Sequence, residues 1–128
     1  MRRWANIVYL YDGSFYGFLC CVFQAFAQKE DPQMILSQDE AQSLLFETRL
    51  IETQPEQAER VRNAVPVKIG AEALELLQCA FLSDLPEKEL LLLAFLRQGF
   101  AQGPAVMKGI AKEPLRSLWQ AAQRAKHE

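Results

Sequence analysis

Residues 90–96 read Leu90, Leu91, Leu92, Leu93, Ala94, Phe95 and Leu96, seven apolar side chains in succession. A helix built from them is apolar on every side, and in water such a helix needs other elements to enclose it. The run is far short of the ~20 residues that cross a bilayer, so it points to a core and away from a membrane role. The pattern predicts a helix over residues 86–102, with Asp84 to Glu87 as its capping sequence and Pro86 in its first turn, where a missing N–H costs little. This leucine-rich helix is the expected centre of the fold. A chain of 128 residues has room for one core of ordinary size, so a single domain over residues 1–128 is expected. Half of the residues are apolar and 23% are charged, the balance of a folded chain and not of a disordered one.

The elements around that centre follow from shorter patterns. Ile7 to Tyr11 is β-branched and aromatic and stops at Asp12 and Gly13, which predicts a strand entering a turn. Ser14 is placed to cap a helix over residues 15–28, on which Phe15, Phe18, Leu19, Val22, Phe23 and Phe26 recur at helical spacing. Pro32 and the cluster before it should end that helix. Residues 33–37 fit a short strand or an extended connector, and residues 38–44 a short helix opened by Ser37 or Asp39. Residues 46–52 alternate, with Phe46, Thr48 and Leu50 on one side and Glu47, Arg49 and Ile51 on the other, as in a half-buried strand that could pair with Ile7 to Tyr11. Thr53, Gln54, Pro55 and Glu56 fit a capping box. The helix they open is expected to break near Val65 and Pro66. Leu74, Leu77 and Phe81 are in register for a further helix after Gly70, and Leu115, Leu118, Trp119 and Ala122 for a last one after Pro114. Between these, Gly99 suits close helix approach, and Gly103 with Pro104 marks a change of direction. The expected class is α+β and predominantly helical, with about five or six helices around the leucine-rich helix and a small two- or three-stranded sheet near the N-terminus.

The three cysteines are odd in number and carry no metal-ligand spacing, which favours reduced thiols and a cytoplasmic compartment. Cys20 and Cys21 fall on or beside the apolar face of the first helix, where a thiol behaves as a small hydrophobe. Ile7 to Tyr11 is too short for the core of an export signal. The net charge of −2 offers no global attraction to a polyanion, but its distribution is uneven. From Arg97 onward there are six basic and two acidic residues, against eight basic and fourteen acidic ones before it.

No glycine-rich phosphate loop, paired-histidine zinc motif or nucleophile elbow is present, and the single histidine is His127, where a histidine-based general base or zinc site would need a second chain. No catalytic, cofactor or metal residue is therefore assigned. Two places remain open to an anion or a partner. Asp12 and Ser14 lie where a strand leads into a helix, and free N–H groups at a helix start hold phosphates or carboxylates; a plain turn and cap explains the same residues. Residues 99–104, with glycines at both ends, have the look of a hairpin turn between helices that grips DNA phosphates, although their spacing is not that of the helix-hairpin-helix pattern. Beside them, Arg97, Lys108, Lys112 and Arg116 form the most plausible phosphate-facing group. Ordinary solvated lysines are the plainer account. Trp4, Tyr9, Tyr11 and Tyr16 make no base-stacking platform and are read mainly as packing residues.

The stretch Val8, Tyr9, Leu10, Tyr11, Asp12, Gly13, Ser14 and Phe15, followed by Gly17, Phe18, Leu19, Val22, Phe23 and Ala25, resembles the opening of a bacterial family assigned to DNA metabolism. Leu45, Phe46, Thr53, Ala58, Arg60, Val61, Phe81, Leu82, Ser83, Leu91, Leu92, Gly99, Phe100, Gly103 and Pro104 match later landmarks of that family. Its members are typically encoded beside a radical S-adenosylmethionine (radical SAM) protein assigned to DNA modification or repair, and some are fused to a uracil-DNA glycosylase-like domain. The resemblance implies an accessory or interaction role in bacterial DNA repair or modification, non-catalytic on its own, with that radical protein as a partner. Direct DNA-backbone binding through the basic segment is one alternative. An enzyme subunit that completes an active site shared with the radical protein is another. The resemblance transfers no catalytic residues. It covers about the first half of a typical member and stops where the family continues into a histidine-containing region, so the chain is expected to be either a shortened relative or a piece of a longer protein.

Overall fold

A computed structural model of the chain describes residues 7–40, 47–109 and 111–127. Among these are three strands, five α-helices and one 3-10 helix, an α+β fold in which helix predominates. Contacts gather into two compact units, Met1–Val61 and Arg62–Glu128, taken in turn below.

In the first unit, β1 (Ile7–Tyr11) is the middle strand of a small sheet. It is flanked by β2 (Met34–Ser37) and β3 (Glu47–Leu50), both parallel to it. A parallel neighbour requires a crossover connection, and α1 (Phe15–Gln28) supplies it between β1 and β2. The buried arc of α1 runs through Phe18, Leu19, Cys20, Cys21, Val22 and Ala25, so both thiols act as small core hydrophobes, whereas Phe26 is exposed. The Tyr11 and Phe18 rings meet edge to face at 6.5 Å, and the Arg60 guanidinium lies 5.5 Å over the Phe23 ring. Pro32 is not what ends α1. The helix stops at Gln28 because Lys29 turns left-handed, which lets the Glu30 N–H donate to the Ala25 carbonyl at 2.9 Å in a Schellman-type closure. Of the expected helix over residues 38–44, Gln38–Glu40 form a turn in which the Glu40 carboxylate accepts from the Ser37 N–H, and the rest lies outside the described residues. The expected alternation of β3 holds and its inward side is the one with Arg49 and Ile51: Ile51 is buried and Arg49 half-buried, while Leu50 stands 61% exposed.

The helix α2 spans Pro55–Lys68 and does not break at Pro66. Pro66 forfeits one backbone bond near the end of the helix, but the buried stripe of Ala58, Val61 and Val65 continues past it to Ile69. The Ile69 and Gly70 N–H groups then close on the Val65 carbonyl at 2.8 and 3.1 Å. In the second unit, α3 (Ala71–Phe81) buries Ala73, Leu76, Leu77, Ala80 and Phe81. α4 (Lys88–Gln102) carries the leucine run and touches α3, α5 (Leu115–Lys126) and the 3-10 helix Gly103–Gly109, which makes it the shared neighbour of its unit. Its apolar residues are sorted all the same: Leu92, Leu93, Phe95 and Leu96 are buried, whereas Leu90, Leu91 and Ala94 are half-exposed. It starts two residues later than the sequence pattern indicates. Glu87 adopts left-handed φ 57 ahead of it, and the Ser83 hydroxyl accepts from the Leu85 N–H at 3.3 Å, which leaves the chain non-helical at Pro86. Gly99 lies under Ile69, whose side chain occupies the place a methyl group would need. The helical segment Lys88–Gly109, 22 residues counting the 3-10 turn, is long and apolar enough by length and composition to cross a membrane. The same test is met by a core helix, and this one changes course at Gly103, where φ is 74°.

Candidate functional site

Open parallel sheets bind ligands outside the carboxyl ends of their strands, where adjacent connections diverge. With strand order β2-β1-β3, that place is the carboxyl end of β1 beside β3. Asp12, Gly13 and Ser14 stand there with Thr53. The Asp12 carboxylate accepts from the Ser14 N–H at 2.9 Å and the Ser14 hydroxyl at 2.6 Å through Oδ1, and from the Thr53 hydroxyl at 2.8 Å through Oδ2. Ser14 Oγ in turn accepts from the Gly17 N–H at 2.9 Å, the expected cap. A Cβ at Gly17 would meet Asp12 Oδ1, so a side chain there would push the carboxylate away from its present place beside Ser14. Thr53, read as a helix cap from its spacing, turns its hydroxyl to Asp12 instead, and the Gln54 carbonyl receives the first helical bond, from the Ala58 N–H at 3.0 Å. The hydrogen bond from the Ser14 side chain is the main cause that holds the Asp12 carboxyl below its usual range. One turn along α1, the Cys20 thiol bonds both the N–H and the carbonyl of Gln54, and burial pushes its pKa up, which keeps it in the unreactive thiol form. A protein carboxylate thus already sits at the start of α1, and an incoming phosphate would meet its negative charge.

The basic candidates belong to the second unit. Lys108 on the 3-10 helix, Lys112 in the turn after it and Arg116 in the first turn of α5 are all exposed. The backbone brings the last two onto one turn, with the Arg116 N–H donating to the Lys112 carbonyl at 2.8 Å. Among the described residues no ion pair engages any of the three. Glu113, the acid between them, is occupied by the Ser117 hydroxyl at 2.8 Å and the Ser117 N–H at 3.3 Å. Arg97 lies on α4 and is half-buried, so it is less available than the others. The glycine-turn reading of residues 99–104 does not hold: residues 99–102 are helical, Gly99 is buried under Ile69, and only Gly103 bends the chain.

Comparison of the chain with protein-family models, curated proteins and solved structures finds no match.

One polar cluster in the first unit has no local sequence signal. Glu30, only 2% exposed, accepts from the Tyr9 hydroxyl at 2.5 Å and pairs with the Arg49 guanidinium at 2.8 Å. Tyr9 and Arg49 are adjacent across the β1–β3 ladder, so the sheet presents both to one carboxylate. Burial, then the bond to Glu30, holds the Tyr9 hydroxyl protonated far above its usual range. The cluster fastens Glu30, in the turn after α1, to two strands. Among the described residues no three His, Cys, Asp or Glu side chains are grouped to hold a metal ion.

Proposed function

We propose that the chain is an accessory domain of bacterial DNA repair or modification, acting in the cytoplasm beside a radical SAM partner and lending a weak backbone contact to DNA. The family resemblance supports the setting. The observation that carries the contact is the exposure of Lys108, Lys112 and Arg116 on one short stretch whose intervening acid is already hydrogen-bonded. Cations so placed recognise phosphate without regard to sequence, and each one that neutralises a phosphate releases counterions.

Fluorescence anisotropy with a labelled duplex tests this reading. Binding should weaken steeply with salt, and replacing Lys108, Lys112 and Arg116 together by Gln should reduce the log–log salt slope by roughly 2 to 3. Absent or salt-independent binding would refute the DNA contact. Capture of the radical protein on the immobilised chain tests the partner separately, and failure to capture it would count against the accessory role.

A further inference from the structure

The second unit contains a groove unrelated to the basic stretch. α3 offers it Glu72, Glu75, Leu76 and Cys79, and α5 offers Trp119, Ala122, Gln123 and Lys126, with Met107 closing it from the 3-10 helix. Each set falls at i, i+3, i+4 and i+7, so two helical stripes face each other. The space between them is about 250 Å³, roughly eight waters at ~30 Å³ each and enough for a small ring with a charged head.

Its chemistry is mixed in a particular way. Glu75 is paired with Lys126 at 3.2 Å. Glu72, one turn away on the same face of α3, has no ion pair among the described residues, so the groove carries two acids to one base. Trp119 is 39% exposed although it lies on the otherwise buried face of α5. An indole face attracts a cation, and a thioether such as that of Met107 moulds to a flat apolar body. An anion would be repelled by the two carboxylates. A neutral apolar molecule would desolvate Glu72 without compensation. A divalent metal would find too few free oxygens.

We infer that this groove binds a flat organic cation, an amidinium or guanidinium carried on an apolar stem. The stem lies against Trp119 and Met107, and the head meets Glu72. None of Lys108, Lys112 and Arg116 lines the groove, so binding there is independent of the DNA contact.

The full chain with Trp4→Phe retains Trp119 as its one indole, which makes its emission a direct report on the groove. Benzamidine, a planar cation, should shift that emission with saturation at about millimolar concentration, and neutral benzamide of the same shape should bind at least roughly fivefold more weakly. Glu72→Gln, a change at an exposed position in the first turn of α3, should abolish the preference between the two with no more than a small fall in thermal stability from the lost helix-end charge. Should Trp4→Phe fold poorly, the unmodified chain serves, because Cys79 lines the groove and benzamidine, but not benzamide, should slow its alkylation by a maleimide. Competition by a blocked arginine, acetyl-arginine amide, would place the cation on a partner's arginine side chain. Its exclusion while benzamidine still binds would place it on a free small molecule. Equal binding of benzamide and benzamidine, a preference that survives Glu72→Gln, or no saturable response of either Trp119 or Cys79 would overturn the inference.

Discussion

Ser14 serves two neighbours at once, accepting from Gly17 and donating to Asp12. Ser14→Ala should therefore destabilise the chain by about 1 kcal/mol, the usual worth of an N-cap. It should also let the Asp12 pKa rise towards its ordinary 3.8, and carboxylate NMR titration of the variant checks both the shift and its sign. The sign for stability follows from linkage. A carboxyl whose folded pKa is lowered stabilises above its unfolded value, and that stabilisation disappears as pH falls through the folded value. Asp12→Asn should accordingly flatten the loss of stability below the ordinary pKa of 3.8, as read from denaturant melts at stepped pH. The cap itself was legible in the sequence because Asp12, Ser14 and Gly17 are neighbours within one turn. Thr53 was not, since it reaches Asp12 from 41 positions away and no local pattern encodes that distance.

Elements were legible where one periodicity ran unopposed, as in β1, α1 and α5, whose bounds follow from the strand run and the apolar stripes. They were misjudged where a local rule competed with packing. Pro66 breaks helices on average, yet here the buried Val65 and Ile69 on either side of it keep the stripe of α2 continuous. The alternation of β3 was legible but its inward side was not, because Leu50 and Ile51 are equally apolar and only the pairing of β3 with β1 decides that Ile51 turns inward. The close approach at Gly99 was anticipated, but its partner Ile69 could be found only in three dimensions. Gly99→Ala should cost about 1–2 kcal/mol through overcrowding, measured by urea denaturation. A second change, Ile69→Val, should return part of that loss. The Glu30 cluster was invisible for the same reason as Thr53: its three members come from β1, the turn after α1, and β3. Arg49→Met should strip the cation from a buried carboxylate and cost about 2–4 kcal/mol, less than for a fully enclosed pair because Arg49 reaches solvent. A double-mutant cycle with Glu30→Gln measures the coupling, and a value near zero would show that the pair is incidental.

At the scale of the chain, charge is divided between the units. Residues 1–61 hold five basic against nine acidic residues, and residues 62–128 hold nine against seven, so attraction to a polyanion belongs to the second stretch. The thiols are divided as well. Cys20 and Cys21 are fully buried and Cys79 is half-exposed. Ellman's reagent should titrate Cys79 first in the native protein and reach all three thiols only in guanidinium, with the slow phase reporting opening of the first unit. Fast reaction of Cys20 or Cys21 in the native state would contradict the packing of α1. The sheet, finally, bears on how the protein tolerates crowding by its own copies. β2 and β3 are each only four residues long, Pro32 stands just ahead of β2, and β3 bears Glu47 and Arg49. Short margins, one of them charged, give a foreign strand few rungs to grip, which discourages ribbon-like polymerisation through the strand edges.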